Sequence, residues 1–359
     1  MKKGVISIAI ACSMILAACA NDSTMQTEEG DNSSMTVNEQ SVQEGFDDSS
    51  EGTSEQTTAT DESSNALYES FLKNEAKVYF DSSCDNSDYN DPNGIASAEY
   101  TLQEFTEVLK TSYAFGDSSD SNIKVNGIQY SYIDCGNDGK KELALSVDIS
   151  NEGLGEGYSQ KFIVAENAGK LAIVYSEDEG LRDSININEY GVVTKSGEDG
   201  FGSDTYGEIF FDSEGNVHYV YSVYAQAGFY NEASGGSVWF NDAEHMIPAG
   251  LGIEADNLVF FRFDFNDASG NNTESICSYA KMAEVGELRD YYTWGLDFSD
   301  DSIYTDAYPL KQSLDGEGIT VKSLKEIDQK IAEKEATDGL TEEIKKGKAV
   351  EWQPLEYNF

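Results

Sequence analysis

The chain has 359 residues, 39% of them hydrophobic, enough for one large or two modest domains with a core, so disorder throughout is excluded. Its 67 acidic residues against 23 basic ones leave a formal net charge of −44. Nucleic acid is excluded as a partner, because affinity for phosphates rests on Lys and Arg; so much like charge favours solubility, divalent cations and an exterior setting.

Met1-Lys2-Lys3 is a short cationic start, and residues 4–18 (GVISIAIACSMILAA) are an apolar run of the length a secretory signal needs, too short to span a hydrocarbon core of about 30 Å. The run closes on Leu16-Ala17-Ala18-Cys19. This tetrapeptide resembles the bacterial lipobox, which implies cleavage of residues 1–18 and a diacylglycerol on the Cys19 thiol. An ordinary signal peptide cleaved after a small-x-small site is the alternative; the order basic, apolar, lipobox favours the anchor. The expectation is a protein lipid-anchored to the cell membrane on its extracytoplasmic face, since two or more acyl chains hold where one does not.

Residues 19–64 are rich in Asp, Glu, Ser, Thr, Asn and Gln, with no Lys or Arg between Lys3 and Lys73. Such a segment cannot bury enough surface to offset its chain entropy, and reads as a disordered tether with a maximum reach of ~150 Å. Three cysteines remain after it, Cys84, Cys135 and Cys277, which allow at most one internal disulfide. The sequence leaves open whether Cys84 pairs with Cys135.

Residues 65–122 read as a helical segment. Residues 66–80 (ALYESFLKNEAKVYF) bring Leu67, Phe71 and Val78 to one face of a helix, and a polar loop over 81–94 stops it. A second helix opens on the capping box Thr101-Leu102-Gln103-Glu104, with Tyr100 and Phe105 as its hydrophobic staple and Leu102, Phe105, Val108 and Leu109 as its apolar face.

Residues 123–300 carry the period of two that marks strands. Ile128, Tyr130 and Tyr132, then Leu143, Leu145, Val147 and Ile149, alternate with polar or small residues and predict a hairpin with one buried face. Between its arms lies IDCGNDGKKEL, residues 133–143. Calcium takes six to eight oxygens, and a tight loop supplies them where acidic residues alternate around a sharp glycine turn. Asp134, Asp138 and Glu142 stand at positions one, five and nine, Gly139 at six, and the Lys140 carbonyl at seven. Leu145 at position twelve and the flanking strands rule out an EF-hand.

The order D-x-G-N-D-G-x-x-E-L does resemble the strand-loop-strand calcium motif of FG-GAP repeats, D-x-[DN]-x-D-G-x-x-[DE]-[LI]. Gly136 departs from it, lacking a side-chain oxygen, so Asn137 or a water would complete the set. A plain hairpin turn at Asn137-Asp138-Gly139 is the alternative. The three spaced carboxylates favour a structural calcium, because they repel one another until an ion bridges them. One copy supports the ion and not a propeller.

Hairpins follow around Gly169, Gly191 and Gly215, each with a polar residue three before the glycine and Leu or Val two after it. Further strands are expected over 237–240, 258–265 and 275–281. The stretch YAQAGFYNEASGGSVWF (224–240) and DYYTWG (290–295) nominate Tyr230, Trp239 and Trp294 as an exposed platform for a glycan or other cell-envelope ligand; core packing is the competing reading.

Residues 301–359 read as a helical segment and docking tail. A capping box at Ser323-Leu324-Lys325-Glu326 opens a helix with Leu324, Ile327 and Ile331 on one side, a short helix follows over 342–346, and Trp352 and Leu355 dock the tail.

The whole predicts an α+β protein: an antiparallel meander or sandwich of successive hairpins flanked by N- and C-terminal helices, with a propeller-like arrangement as the alternative. This layout resembles an uncharacterised group of surface lipoproteins from Gram-positive bacteria, which supplies no activity. The sequence contains no G-x-S-x-G, no S-x-x-K at a helix start and no H-E-x-x-H, and its two histidines, His218 and His245, are isolated. A non-enzymatic binding protein is therefore expected; the rival is a carbohydrate-active hydrolase using paired carboxylates.

Overall fold

The computed structural model describes residues 58–84, 95–112, 123–151, 155–180, 182–198, 204–240, 243–253, 256–267, 270–282, 296–297 and 300–357. Cys19, the lipobox and Trp294 lie outside these residues. The fold is α+β, with two open seven-stranded sheets, a two-stranded ribbon and helices gathered toward the ends of the chain. Neither a closed barrel nor a propeller is found among the described residues.

The first helix, α1 (Thr58–Leu72), begins inside the stretch whose composition reads as tether, and it stops well before residue 80. Asn74, in the left-handed region at φ 63°, turns the chain out of the helix. Val78–Phe80 then forms strand β1, parallel to β6 (Lys170–Glu179) and antiparallel to β2 (Ala98–Tyr100). The helical expectation over 66–80 fails here because a β-branched residue followed by two aromatics suits a pleated strand, and sheet pairing outweighs a helical period only a few turns long. Val78 and Phe80 are buried while Tyr79 points out.

The second helix, α2 (Leu102–Ser112), has the expected start: Thr101 and Glu104 exchange hydrogen bonds, and the Tyr100 and Phe105 rings lie 5.7 Å apart.

Sheet A runs β16-β3-β4-β5-β6-β1-β2, where β3 is Ile123–Ile133, β4 Glu142–Asn151, β5 Gly155–Asn167 and β16 Gln353–Pro354. The last of these adds a strand far beyond residue 300. One face, lined by Leu143, Leu145, Val147, Phe162 and Val164, is covered by Tyr68 and Phe71 of α1 and Leu102, Phe105 and Leu109 of α2. The other face, expected to meet solvent, is buried too: Ala144, Ile163 and Tyr175 pack against Ile185, Ile187, Val193 and Phe211 of the second sheet. Small side chains at Ala144 and Ser146, which are 0% and 1% exposed, let the sheets approach.

Sheet B runs β15-β14-β13-β10-β9-β8-β7, with β7 Asp183–Ile187, β8 Val192–Glu198, β9 Asp204–Phe211, β10 Val217–Asn231, β13 Asp256–Asn266, β14 Asn272–Met282 and β15 Leu296–Asp297. The hairpin glycines Gly169, Gly191 and Gly215 sit at φ 80°, 80° and 78°, where a side chain would be strained. The same turn recurs at Gly270, whose amide bonds the Asp267 carbonyl, a fourth copy beyond the three expected.

Sheet B is also covered on both faces. Leu258, Phe260 and Tyr279 pack with Tyr230, with the ribbon β11 (Gly236–Phe240) and β12 (Ala243–Ile247), and with Leu310 and Leu314 of α3 (Pro309–Gly316). Phe261, Phe263 and Ile276 pack under Leu324 and Ile327 of α4 (Leu324–Asp338), whose N-terminus shows the expected reciprocal cap between Ser323 and Glu326. A short α5 (Glu342–Lys345) follows.

The tail then crosses from one sheet to the other. The Val350 amide bonds the Ile187 carbonyl at 3.0 Å, and the Leu355 amide bonds the Ile128 carbonyl at 2.8 Å. Trp352 packs with the intersheet core and Leu355 with the core beneath α1 and α2, as expected of docking residues.

Candidate functional site at the junction of the sheets

Between β3 and β4 the chain makes a short 3-10 turn, Cys135–Asn137, with Gly136, Asn137 and Gly139 all left-handed at φ 74°, 57° and 89°. The acidic side chains serve this turn as acceptors. The Asp134 carboxylate receives the amides of Asp138 at 2.8 Å and Gly139 at 3.0 Å. Asp138 receives the Lys140 amide at 2.8 Å and its ammonium at 2.7 Å, and Glu142 receives the Cys135 amide at 2.7 Å. Asn137 stands exposed.

Burial pushes the Glu142 carboxyl up to about 7; the Cys135 amide opposes this, and the charges of Asp138 and Asp134 add to it. The Tyr68 hydroxyl is buried without a hydrogen-bond partner among the described residues; burial first, then the Glu142 charge, raises its pKa.

The loop also ties the sheets together. Its Asp134 and Gly136 amides bond the carbonyls of Glu189 and Tyr190, in the β7–β8 turn, at 2.8 and 3.1 Å. A β-carbon on Gly136 would lie 2.5 Å from the Ser213 amide nitrogen, in the β9–β10 turn, and one on Gly191 would lie 2.7 Å from Cys135 Sγ. Gly136, the position that departs from the calcium motif, is thus required by backbone approach rather than by ligand chemistry.

Three carboxylates and a carbonyl within nine residues are the oxygen chemistry calcium takes. As placed, each carboxylate is drawn to hydrogen-bond donors of the turn, and no group of three His, Cys, Asp or Glu side chains positioned to hold a metal occurs among the described residues.

The expected platform is divided. Tyr230 is 0% exposed, inside the core of sheet B, and its hydroxyl donates to Glu232 at 2.8 Å. It packs rather than displays, because strand β10 turns that side toward the ribbon and α3. Trp239 is 44% exposed on β11, directly across from Glu244 on β12, and Met246, 70% exposed, lies on the same face.

His218 is half-buried, its Nε2 2.9 Å from Asp212 and its Nδ1 3.6 Å from Asp338. Burial raises the Asp212 pKa, but the His218 and Asn216 hydrogen bonds outweigh it and hold the carboxyl below the usual range. Cys84, Cys135 and Cys277 form no disulfide with one another; the last two are buried and Cys84 partly so.

A polar cluster between the sheets was not expected from the sequence. The Lys161 ammonium lies 3.0 Å from Ser146 Oγ, 3.0 Å from Glu179 and 5.1 Å from the centre of the Trp352 ring. Lys195 reaches Glu177 at 2.6 Å, and Glu177 accepts the Tyr175 hydroxyl at 2.6 Å. Its only local signal is a lysine within the apolar strand KFIV.

No protein-family model matches the chain, and neither a curated protein nor a solved structure shows significant similarity to it.

Proposed function

We propose that the chain is a lipid-anchored, extracytoplasmic binding protein, tethered through Cys19 and stabilised by calcium at the Asp134–Glu142 loop, that offers the β11–β12 ribbon to a neutral glycan of the cell envelope. One observation carries the choice of surface. Of the three exposed large hydrophobic side chains among the described residues, Tyr79, Trp239 and Met246, two share one face of this ribbon. An indole beside the Glu244 carboxylate offers a stacking surface and hydrogen-bond acceptors together, the pairing that sugar rings require. The net charge of −44 disfavours anionic polymers as the occupant. The anchor rests on the basic, apolar and Leu-Ala-Ala-Cys segments in order, and the ion on the spacing of the three carboxylates.

The test is a glycan array probed with the detergent-solubilised full chain, wild type and Trp239→Ala. Retention of neutral saccharides that the variant loses supports the reading. Equal retention by both, or none by either, removes it. Labelling with an alkyne fatty acid in a bacterial host tests the anchor separately, and Cys19→Ala should abolish the label.

A further inference from the structure

The face of sheet B opposite β7–β8's packing on sheet A carries a carboxyl group in an unusual position. Glu208 lies on β9, and its Oε1 is buried without a hydrogen-bond partner among the described residues. Its neighbours come from every element packed there. On its own sheet are Tyr206 and Tyr221, with ring centres 5.7 Å apart. Helix α4 contributes Glu335, and α5 contributes Glu342 and Lys345.

The cation of this cluster is already divided: Lys345 Nζ is 2.7 Å from Glu335 and 2.8 Å from Glu342. Farther along α4, Asp338 is taken by Lys334 at 2.9 Å and faces His218, and Lys346 serves Glu342. Around this polar cluster, Leu340 and Ile344 of the cap pack on Val192, Phe210 and Val220 of the sheet.

We propose that α4 and α5 form an acid-tightened cap on sheet B, closed when Glu208 holds a proton and loosened, together with the C-terminal strap that follows α5, when Glu208 is ionised. Ionised, Glu208 would be a third carboxylate about one shared ammonium, with one oxygen unsolvated; protonated, it is a neutral group that a buried site tolerates. Burial, then Glu335, push its pKa up to about 7, with Lys345 opposing and Glu342 adding. Asp328, earlier on α4, is itself raised to about 6 by burial, so the same helix carries a second group of the same sign.

The strap is coupled to the cap through the backbone. The Asn188 side-chain amide donates to the Ile344 carbonyl at 2.7 Å, and from there the chain runs to Val350 and Trp352 at the intersheet core. Loosening α5 therefore reaches the contact that joins the sheets.

The sign follows from linkage. Glu208 binds its proton more tightly in the closed cap than in an open one, so the contribution to closure is complete below the ordinary carboxyl range and is lost as pH rises through about 7.

Hydrogen–deuterium exchange of the full chain, corrected for intrinsic rates, tests this at about pH 5 and about pH 8. Wild-type amides over residues 324–350 should lose protection on the order of 50-fold or more at the higher pH, whereas Glu208→Gln should lose no more than about tenfold, the share that Asp328 can supply. Equal wild-type protection at both values, or a wild-type response retained in Glu208→Gln, overturns the proposal. If that variant fails to melt cooperatively, Glu335→Gln decides: it removes the charge that raises Glu208 most, so the midpoint of the wild-type response must move to lower pH, and an unmoved midpoint is equally fatal.

Discussion

Gly136 approaches Ser213 so closely that a β-carbon there would lie 2.5 Å from the serine amide nitrogen. The loop between β3 and β4 is thereby pressed onto the β9–β10 turn of the other sheet, with its own amides bonded to Glu189 and Tyr190. Gly136→Ala meets both this clash and a φ of 74°. Urea denaturation should show a loss of about 2–4 kcal/mol with an unchanged slope. A change below about 0.5 kcal/mol would mean that the turns can separate without cost.

Calcium and hydrogen bonding make different demands on Asp138. If an ion bridges the loop, millimolar calcium raises the melting temperature of the wild type, with a stabilisation of about 2.7 kcal/mol when calcium is at a hundred times its dissociation constant. Asp138→Ala should abolish that rise. Coincident melting curves in chelator and in calcium would leave only the hydrogen-bonded turn.

The Lys161 ammonium is enclosed by Ser146, Glu179 and the Trp352 ring. Lys161→Met removes the cation and leaves Glu179 without it between the sheets, so a loss of about 2–4 kcal/mol is expected. A double-mutant cycle with Trp352→Ala should return a coupling of about 0.5–2 kcal/mol for the cation over the indole. Strict additivity would show that the ring only fills space.

Helix α4 depends on its first turn as well as on Glu208. Ser323 accepts the Glu326 amide, and Glu326 returns the bond to the Ser323 amide at 2.9 Å. Ser323→Ala should lower stability by about 1 kcal/mol, read as a smaller urea midpoint. Restoration by Thr but not by Val would assign the loss to the hydroxyl.

Features made by near neighbours in the chain are legible in the sequence. Both capping boxes, at Thr101 and Ser323, and the hairpins at Gly169, Gly191 and Gly215 depend on a polar side chain or glycine within a few positions of the backbone it serves. The Asp267–Gly270 turn carries the same kind of signal, masked by the Asn and Ser around it. The candidate loop is legible as a turn rich in carboxylates. That Gly136 is a point of contact between sheets is not, since Ser213 is remote in sequence. Tyr230 and Trp239 are similarly placed in strands, and nothing local says that one is in the core and the other half-exposed.

By itself, then, the sequence determined the α+β class, the alternating strands and the starts of two helices, because period and capping act over a few residues. The tertiary structure alone decided that residues 78–80 join a sheet, that both sheets are buried on two faces, and that Lys161 and Glu208 are enclosed. Those outcomes depend on which distant surface excludes water from each side chain, and burial by a distant segment leaves no mark on the order of near neighbours.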